Sequence, residues 1–138
     1  MLVTEFNGIP KPHIGVYSFG TAAAKGLPAA QFEFDVSKFR DPVGQKQFNK
    51  AYGTNPDVRE WVCRDRRMPA VVDLCLMLAE DLLKPRKKGN SEESISHWLS
   101  LGFRDFHGKW IAPAVAEEVA DKLSSEGYVV YVVHHNIP

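Results

Sequence analysis

The stretch from residue 95 to residue 135 constrains the fold more than any other part of the chain. Residues 95–103 read as a strand, 104–110 as a loop, 112–126 as a helix stopped by Gly127, and 128–135 as a second strand. That succession is a β-α-β unit. A unit of this kind joins parallel strands through a crossover helix that covers the sheet. Within the helix, Val115, Val119 and Leu123 recur at spacing four beside Ala112, Ala116 and Ala120, while Glu117, Glu118, Asp121 and Lys122 take the water-facing side. Alanine on the buried side lets the helix lie close to the strands. The run Tyr-Val-Val-Tyr-Val-Val at 128–133 is apolar on both faces, the pattern of a central strand covered from both sides. The expected architecture is therefore α/β: a single domain over residues 1–138, with a mainly parallel or mixed sheet and helices on both faces.

The upstream segments fit that frame. Residues 13–20 are β-branched and aromatic and end at Gly20, as a strand does. Across 31–39, Phe32, Phe34 and Val36 alternate with Glu33, Asp35 and Ser37, which predicts a half-solvated strand near a sheet edge. Asn55 as N-cap and Pro56 at the first helical position open a predicted helix over 55–67. The next helix, 68–83, is apolar on most of its circumference, so it is expected to be deeply buried. Stretches rich in glycine, proline or lysine at 8–12, 26–28 and 84–90 read as loops. A chain of 138 residues that is 44% hydrophobic and 25% charged can build one core, and it lacks the bias of a disordered chain, a collagen or a coiled coil. No stretch reaches the roughly 18 apolar residues of a membrane span, and the start lacks the charged head and apolar run of a signal peptide. A soluble, cytoplasmic protein is the expectation. Cys63 and Cys75 both fall on predicted helices and read as buried free thiols, suiting neither a disulfide framework nor a zinc site. No metal or cofactor is expected.

Seventeen basic residues balance 17 acidic ones, so any polyanionic partner must use a local patch. In an open parallel sheet, ligands gather at the carboxyl ends of strands, where helix N-termini offer amide hydrogens. Here that place is the loop Gly-Phe-Arg-Asp-Phe-His-Gly-Lys-Trp over 102–110. Arg104, His107 and Lys109 bring positive charge to it, which favours a phosphate or carboxylate; a plain solvated loop is the competing reading. A nucleotide-triphosphate loop is excluded, because five residues rather than four separate Gly102 from Gly108-Lys109 and Trp110 stands where the magnesium-holding hydroxyl belongs. A cysteine nucleophile is excluded by Phe103 at the strand end. A phosphate-ester hydrolase would have only Asp105 and His107 in the loop as acid or base. His134 and His135 are neighbours on a strand and point to opposite faces, so they cannot share a metal site; one of them is expected to reach the loop. Trp110 either stacks on a sugar or base ring or fills the pocket. Basic clusters stand at Arg59, Arg64, Arg66 and Arg67 and at Lys84, Arg86, Lys87 and Lys88. The second follows the buried helix and suits the dipole of its C-terminus, the favoured reading; a polyanionic partner such as RNA is the alternative if the two clusters join on one face.

Several motifs occur in a telling order: Tyr-Ser-Phe-Gly (17–20), Lys-Gly-Leu-Pro (25–28), Phe-Asp-Val (34–36), Arg-Asp-Pro (40–42), Tyr-Gly-Thr-Asn (52–55), Leu-Gly (101–102), Ala-Val-Ala-Glu-Glu-Val-Ala (114–120) and His-His-Asn-Ile (134–137). Their succession, over residues 14 to 137, resembles the C-terminal domain of the RapZ family of RNase adapter and nucleotide-binding proteins. The resemblance implies a doubly wound α/β domain, a Cys-x-Gly-Gly-x-His-Arg-Ser loop for a small phosphosugar-like anion, and surfaces for RNA, regulatory proteins and self-association into a homo-oligomer. The loop departs from that pattern: Phe103 takes the cysteine position, Trp110-Ile111-Ala112 the His-Arg-Ser positions, and Asp35-Val36-Ser37 stands for Asp-Val-Arg. Gly108 and Lys109 match the loop's glycine and basic residue, and Lys25 sits at a basic or histidine position. The combined expectation is a non-enzymatic regulatory or adapter domain. It would hold a phosphorylated or other anionic ligand, phosphosugar or nucleotide-like, through Lys25, Arg104, His107, Gly108, Lys109, Trp110 and His134. RNA contacts are assigned to Arg64, Arg66, Arg67, Lys87 and Lys88. The alternative is a protein-interaction module with an inactive ligand site and an aromatic surface at Phe103, Phe106 and Trp110.

Overall fold

The computed structural model describes residues 5–6, 9–10, 13–22, 29–48, 51–83 and 98–138. A short antiparallel pair, β1 (Glu5–Phe6) with β2 (Ile9–Pro10), precedes the main sheet. The main sheet is built from β3 (His13–Gly20), β4 (Phe32–Asp35), β5 (Trp98–Asp105) and β6 (Val129–His134), in the order β4-β5-β3-β6 with every pairing parallel. Its helical layer holds α1 (Pro56–Cys63), α2 (Met68–Leu83) and α3 (Ile111–Ser125).

The α/β class and the parallel sheet are as the β-α-β pattern predicts. Strand β3 keeps the expected bounds, β4 is an edge strand, and α2 runs over the predicted residues. Asn55 caps α1, its side-chain oxygen accepting from the Asp57 amide at 2.9 Å, with Pro56 opening the helix. Gly127 stops α3 with φ of +97°, a conformation that glycine alone adopts freely.

Two expectations fail. The last strand is an edge strand, not a central one: β5-α3-β6 crosses over β3, so β6 pairs with β3 alone among the described residues. Among the described residues the three helices share one core with the sheet, α3 packing on β3, β5 and β6 and both other helices on α3. A strand of valines and tyrosines reads as doubly covered, but none of its residues is fully buried and Val133 is exposed. Likewise α2 is amphipathic rather than deeply buried; Met68, Cys75, Ala79 and Leu83 enter the core while Leu74, Met77 and Leu82 face solvent.

Between sheet and helices sits one core: Ile14 and Val16 from β3, Leu99, Leu101 and Phe103 from β5, Val58 and Val62 from α1, and Val115, Val119 and Leu123 from α3, all fully buried. Each such side chain contributes about 1.5–3 kcal/mol on removal from water. On the opposite face the rings of His13 and Tyr131 stack 5.5 Å apart, and His13 Nδ1 lies 2.8 Å from the Tyr131 hydroxyl.

Candidate functional site

Strand β5 runs two residues beyond its predicted end, and this extension decides the site. Alternation along the strand sends Phe103 and Asp105 to the helix side and Arg104 to the other face. Phe103 is fully buried and stacks on Phe34 at 5.2 Å, so it belongs to the core and not to an exposed aromatic surface. Arg104 pairs with Glu33 of the neighbouring strand at 3.2 Å, away from the loop.

Asp105 turns under the loop. Its Oδ1 accepts from the Gly108 amide and its Oδ2 from the Ala112 amide at 2.9 Å, and the Ile111 amide adds a favourable interaction with the carboxylate. The residue is 6% exposed. Burial pushes its carboxyl above the usual carboxylate range, and those three backbone amides, with His107 nearby, pull against that rise. Above Asp105 the loop is clamped by close backbone approaches. A Cβ on Gly108, whose φ is +71°, would collide with the Gly20 amide and with Asn136, and one on Gly20 would strike the His107 carbonyl. Asn136 in turn accepts from the Gly20 amide at 2.7 Å. Gly53 is pressed against Trp110, and its amide donates to the Lys109 carbonyl at 2.9 Å. Phe-Gly, Tyr-Gly-Thr-Asn and His-His-Asn, separate in sequence, thus meet around this loop.

The same clamp opens a cleft of about 840 Å³ between the segment 42–52 and the loop. Lys46, from the 3-10 turn Lys46–Phe48, and Lys109 bring two ammonium groups to it; Phe48, Tyr52 and Trp110 bring rings; no carboxylate is among its described lining residues. The Trp110 indole is fixed in place, donating to the Ala51 carbonyl at 2.8 Å. His107 stands edge-on to Trp110 at 5.6 Å and to Phe106 at 4.8 Å. Two ammonium groups beside a pinned indole suit a ligand with a negative group and a flat ring or sugar face.

The expected residues therefore divide. Lys109 and Trp110 line the cleft, His107 adjoins Trp110, and Gly108 shapes the loop. Arg104 is on the far face, and Lys25 lies outside the described residues. His134 is held beneath, with Nδ1 2.6 Å from Ser18 Oγ and Nε2 3.2 Å from Glu117 Oε1, tying β3, β6 and α3 together. Ser18 is fully buried, which leaves no approach for a substrate. His135 points the other way, against Tyr17 at 6.1 Å. Lys46, Phe48 and Tyr52 were missed by sequence reasoning, because the segment 42–52 has no periodicity to place it. By sequence Asp105 reads as an acid or base; the signal for a cap is an aspartate shortly before a helix start.

The arginine cluster offers less charge than its count suggests. Arg59 pairs with Glu118 at 2.7 Å and Asp121 at 2.5 Å, Arg64 with Glu60 at 2.5 Å, and Arg67 with Asp65 at 2.9 Å. Glu118 and Asp121 are accordingly ion-pair partners rather than purely solvated groups. Lys84, Arg86, Lys87 and Lys88 lie outside the described residues. Burial pushes the Cys63 and Cys75 thiols up to about 12, with Glu118 adding to the rise at Cys63. No helix among the described residues is long and apolar enough to cross a membrane.

In comparison with known families, a model of the RapZ C-terminal domain matches residues 12–138. Comparison with curated proteins finds no match.

Proposed function

The chain belongs to the RapZ C-terminal domain family, and on that footing we propose that it is one non-enzymatic regulatory domain that holds a small phosphorylated ligand in the cleft beside the 106–110 loop. Family membership carries a regulatory or adapter role; the cleft supplies the ligand class. The observation that carries the reading is the pairing of Lys46 and Lys109 with the anchored Trp110 ring, with no carboxylate among the described lining residues. The ammonium groups attract a phosphoryl group, and the indole covers the sugar or base attached to it. His107 steadies the indole edge, and Gly108 fixes the loop. The two thiols are unpaired, which suits a reducing compartment such as the cytoplasm.

Thermal melting with glucosamine 6-phosphate, a nucleoside monophosphate and inorganic phosphate tests this. A ligand specific to the folded state raises the melting temperature. The expected result is a rise with at least one of the phosphorylated organic ligands that is lost in Lys46→Ala/Lys109→Ala. No rise at millimolar ligand, or an equal rise in the double variant, overturns the reading. A protein-interaction module is the second reading, favoured by Phe106, which is 60% exposed at the loop tip. It expects no ligand response, together with capture of a protein partner that Phe106→Ala loses. The arginine cluster supports RNA binding poorly, because Arg64 and Arg67 already hold acidic partners.

A further inference from the structure

A helix start leaves its first amides without partners inside the helix, and each must find an acceptor. In α3 they can be followed one at a time. Trp110, the N-cap residue, makes no side-chain capping bond. The Ala112 amide goes to the Asp105 carboxylate at 2.9 Å, and the Ile111 amide favours the charge on it. Pro113 has none. The Ala114 amide bonds to the Trp110 carbonyl at 3.2 Å. The Gly108 amide, which the loop also turns inward, goes to the other Asp105 oxygen. Two of the inward-turned donors at the helix tip, the Gly108 and Ala112 amides, are thus taken up by the protein's own carboxylate.

We infer that Asp105 is an internal anion that closes this amide cluster and so determines where the negative end of a cleft ligand can lie: over Lys46 and Lys109, not at the start of α3. The inference rests on the cleft reading for its consequence, but the closure stands on hydrogen bonds alone. A phosphoryl group barred from fixed backbone donors is held by flexible ammonium groups instead. Its binding is then sensitive to salt and tolerant of the anion's shape, whereas a ring of amides would select geometry. Asp105 is in this sense a specificity-determining residue that touches no ligand.

The test is chemical rescue. Asp105→Ala removes the carboxylate and leaves room for formate, which has the same acceptor atoms. Melting is followed in sodium formate and in sodium chloride at equal ionic strength. In chloride, Asp105→Ala is expected to melt on the order of 10 °C below wild type, as a small domain does when buried donors lose their acceptor. Formate is expected to raise that variant's melting temperature in a saturable way and to leave wild type at its chloride value. A formate effect no larger in Asp105→Ala than in wild type overturns the inference. If the alanine variant does not fold, Asp105→Asn decides: it keeps the shape but turns an amide donor toward the backbone donors, so it should melt below wild type and show no formate response. An asparagine variant as stable as wild type overturns the closure. Formate rescue should persist when Lys46→Ala and Lys109→Ala are added. Failure of the rescue is thus distinguishable from failure of the phosphorylated ligands to bind in the cleft.

Discussion

Asp105 and Asp65 show how differently two buried carboxylates can be treated. Asp105 is surrounded by backbone and raised in pKa, with burial as the leading cause. Asp65, also buried, accepts from the Arg67 guanidinium at 2.9 Å on both oxygens and from the Arg67 amide. The guanidinium beside it holds its carboxyl well down, to about 2 from 3.8. A depressed carboxylate stabilises the fold above its unfolded value, and that contribution is lost as pH falls through its folded value. Asp65→Asn is therefore expected to cost about 1–2 kcal/mol near neutral pH, less than the full shift implies because Arg67 is half-exposed and screened. The gap between variant and wild type should close as pH falls from the ordinary carboxylate range toward 2. Urea denaturation across that range checks it; a gap that stays constant with pH contradicts the pairing.

At the scale of elements, what was legible followed from local chemistry. The α1 cap could be read from Asn55-Pro56-Asp57, and Asn55→Ala should cost about 1 kcal/mol in urea denaturation. A cost of zero would mean that the side-chain bond to the Asp57 amide contributes nothing. The bounds of β3 and α2 were equally visible in their apolar runs. What failed depended on partners distant in sequence. Tyr128 to Val133 has the composition of a covered strand, yet sheet order leaves β6 at an edge, and order is a matter of which strand α3 crosses. Arg104 reads as a loop residue because its own chemistry fits an anion, but β5 continues two residues further and sets it beside Glu33 on the opposite face. The cleft could not be foreseen, since Lys46 and Tyr52 come to Lys109 through contacts distant in sequence, Gly53 on Lys109 and Ala51 on the Trp110 indole. Gly53, Gly20 and Asn136 did register as parts of the family resemblance, and their shared task is to hold the loop.

The molecule as a whole is a two-layer sandwich of sheet and helices among its described residues, and its interior holds Cys75 with no exposed surface. Its thiol, pushed up to about 12, is almost entirely protonated at neutral pH. An aromatic disulfide reagent should leave Cys75 unmodified in buffer and modify it at a rate set by unfolding once denaturant is present. Fast labelling of Cys75 in native buffer, compared by mass spectrometry with Cys63, would show the core to be looser than its packing.

The sheet order carries one more consequence, for the chain as it is made. Strand β3 has β5 and β6 as its neighbours, and both lie in the final third of the sequence. On the ribosome, Ile14, Val16 and Phe19 wait without their eventual company while the polypeptide from Gly20 to Trp98 is synthesised, a delay of roughly 5–15 s at ordinary elongation rates. The earliest apolar strand of the main sheet is thus among the last to be paired, and a nascent-chain holdase has its longest opportunity there.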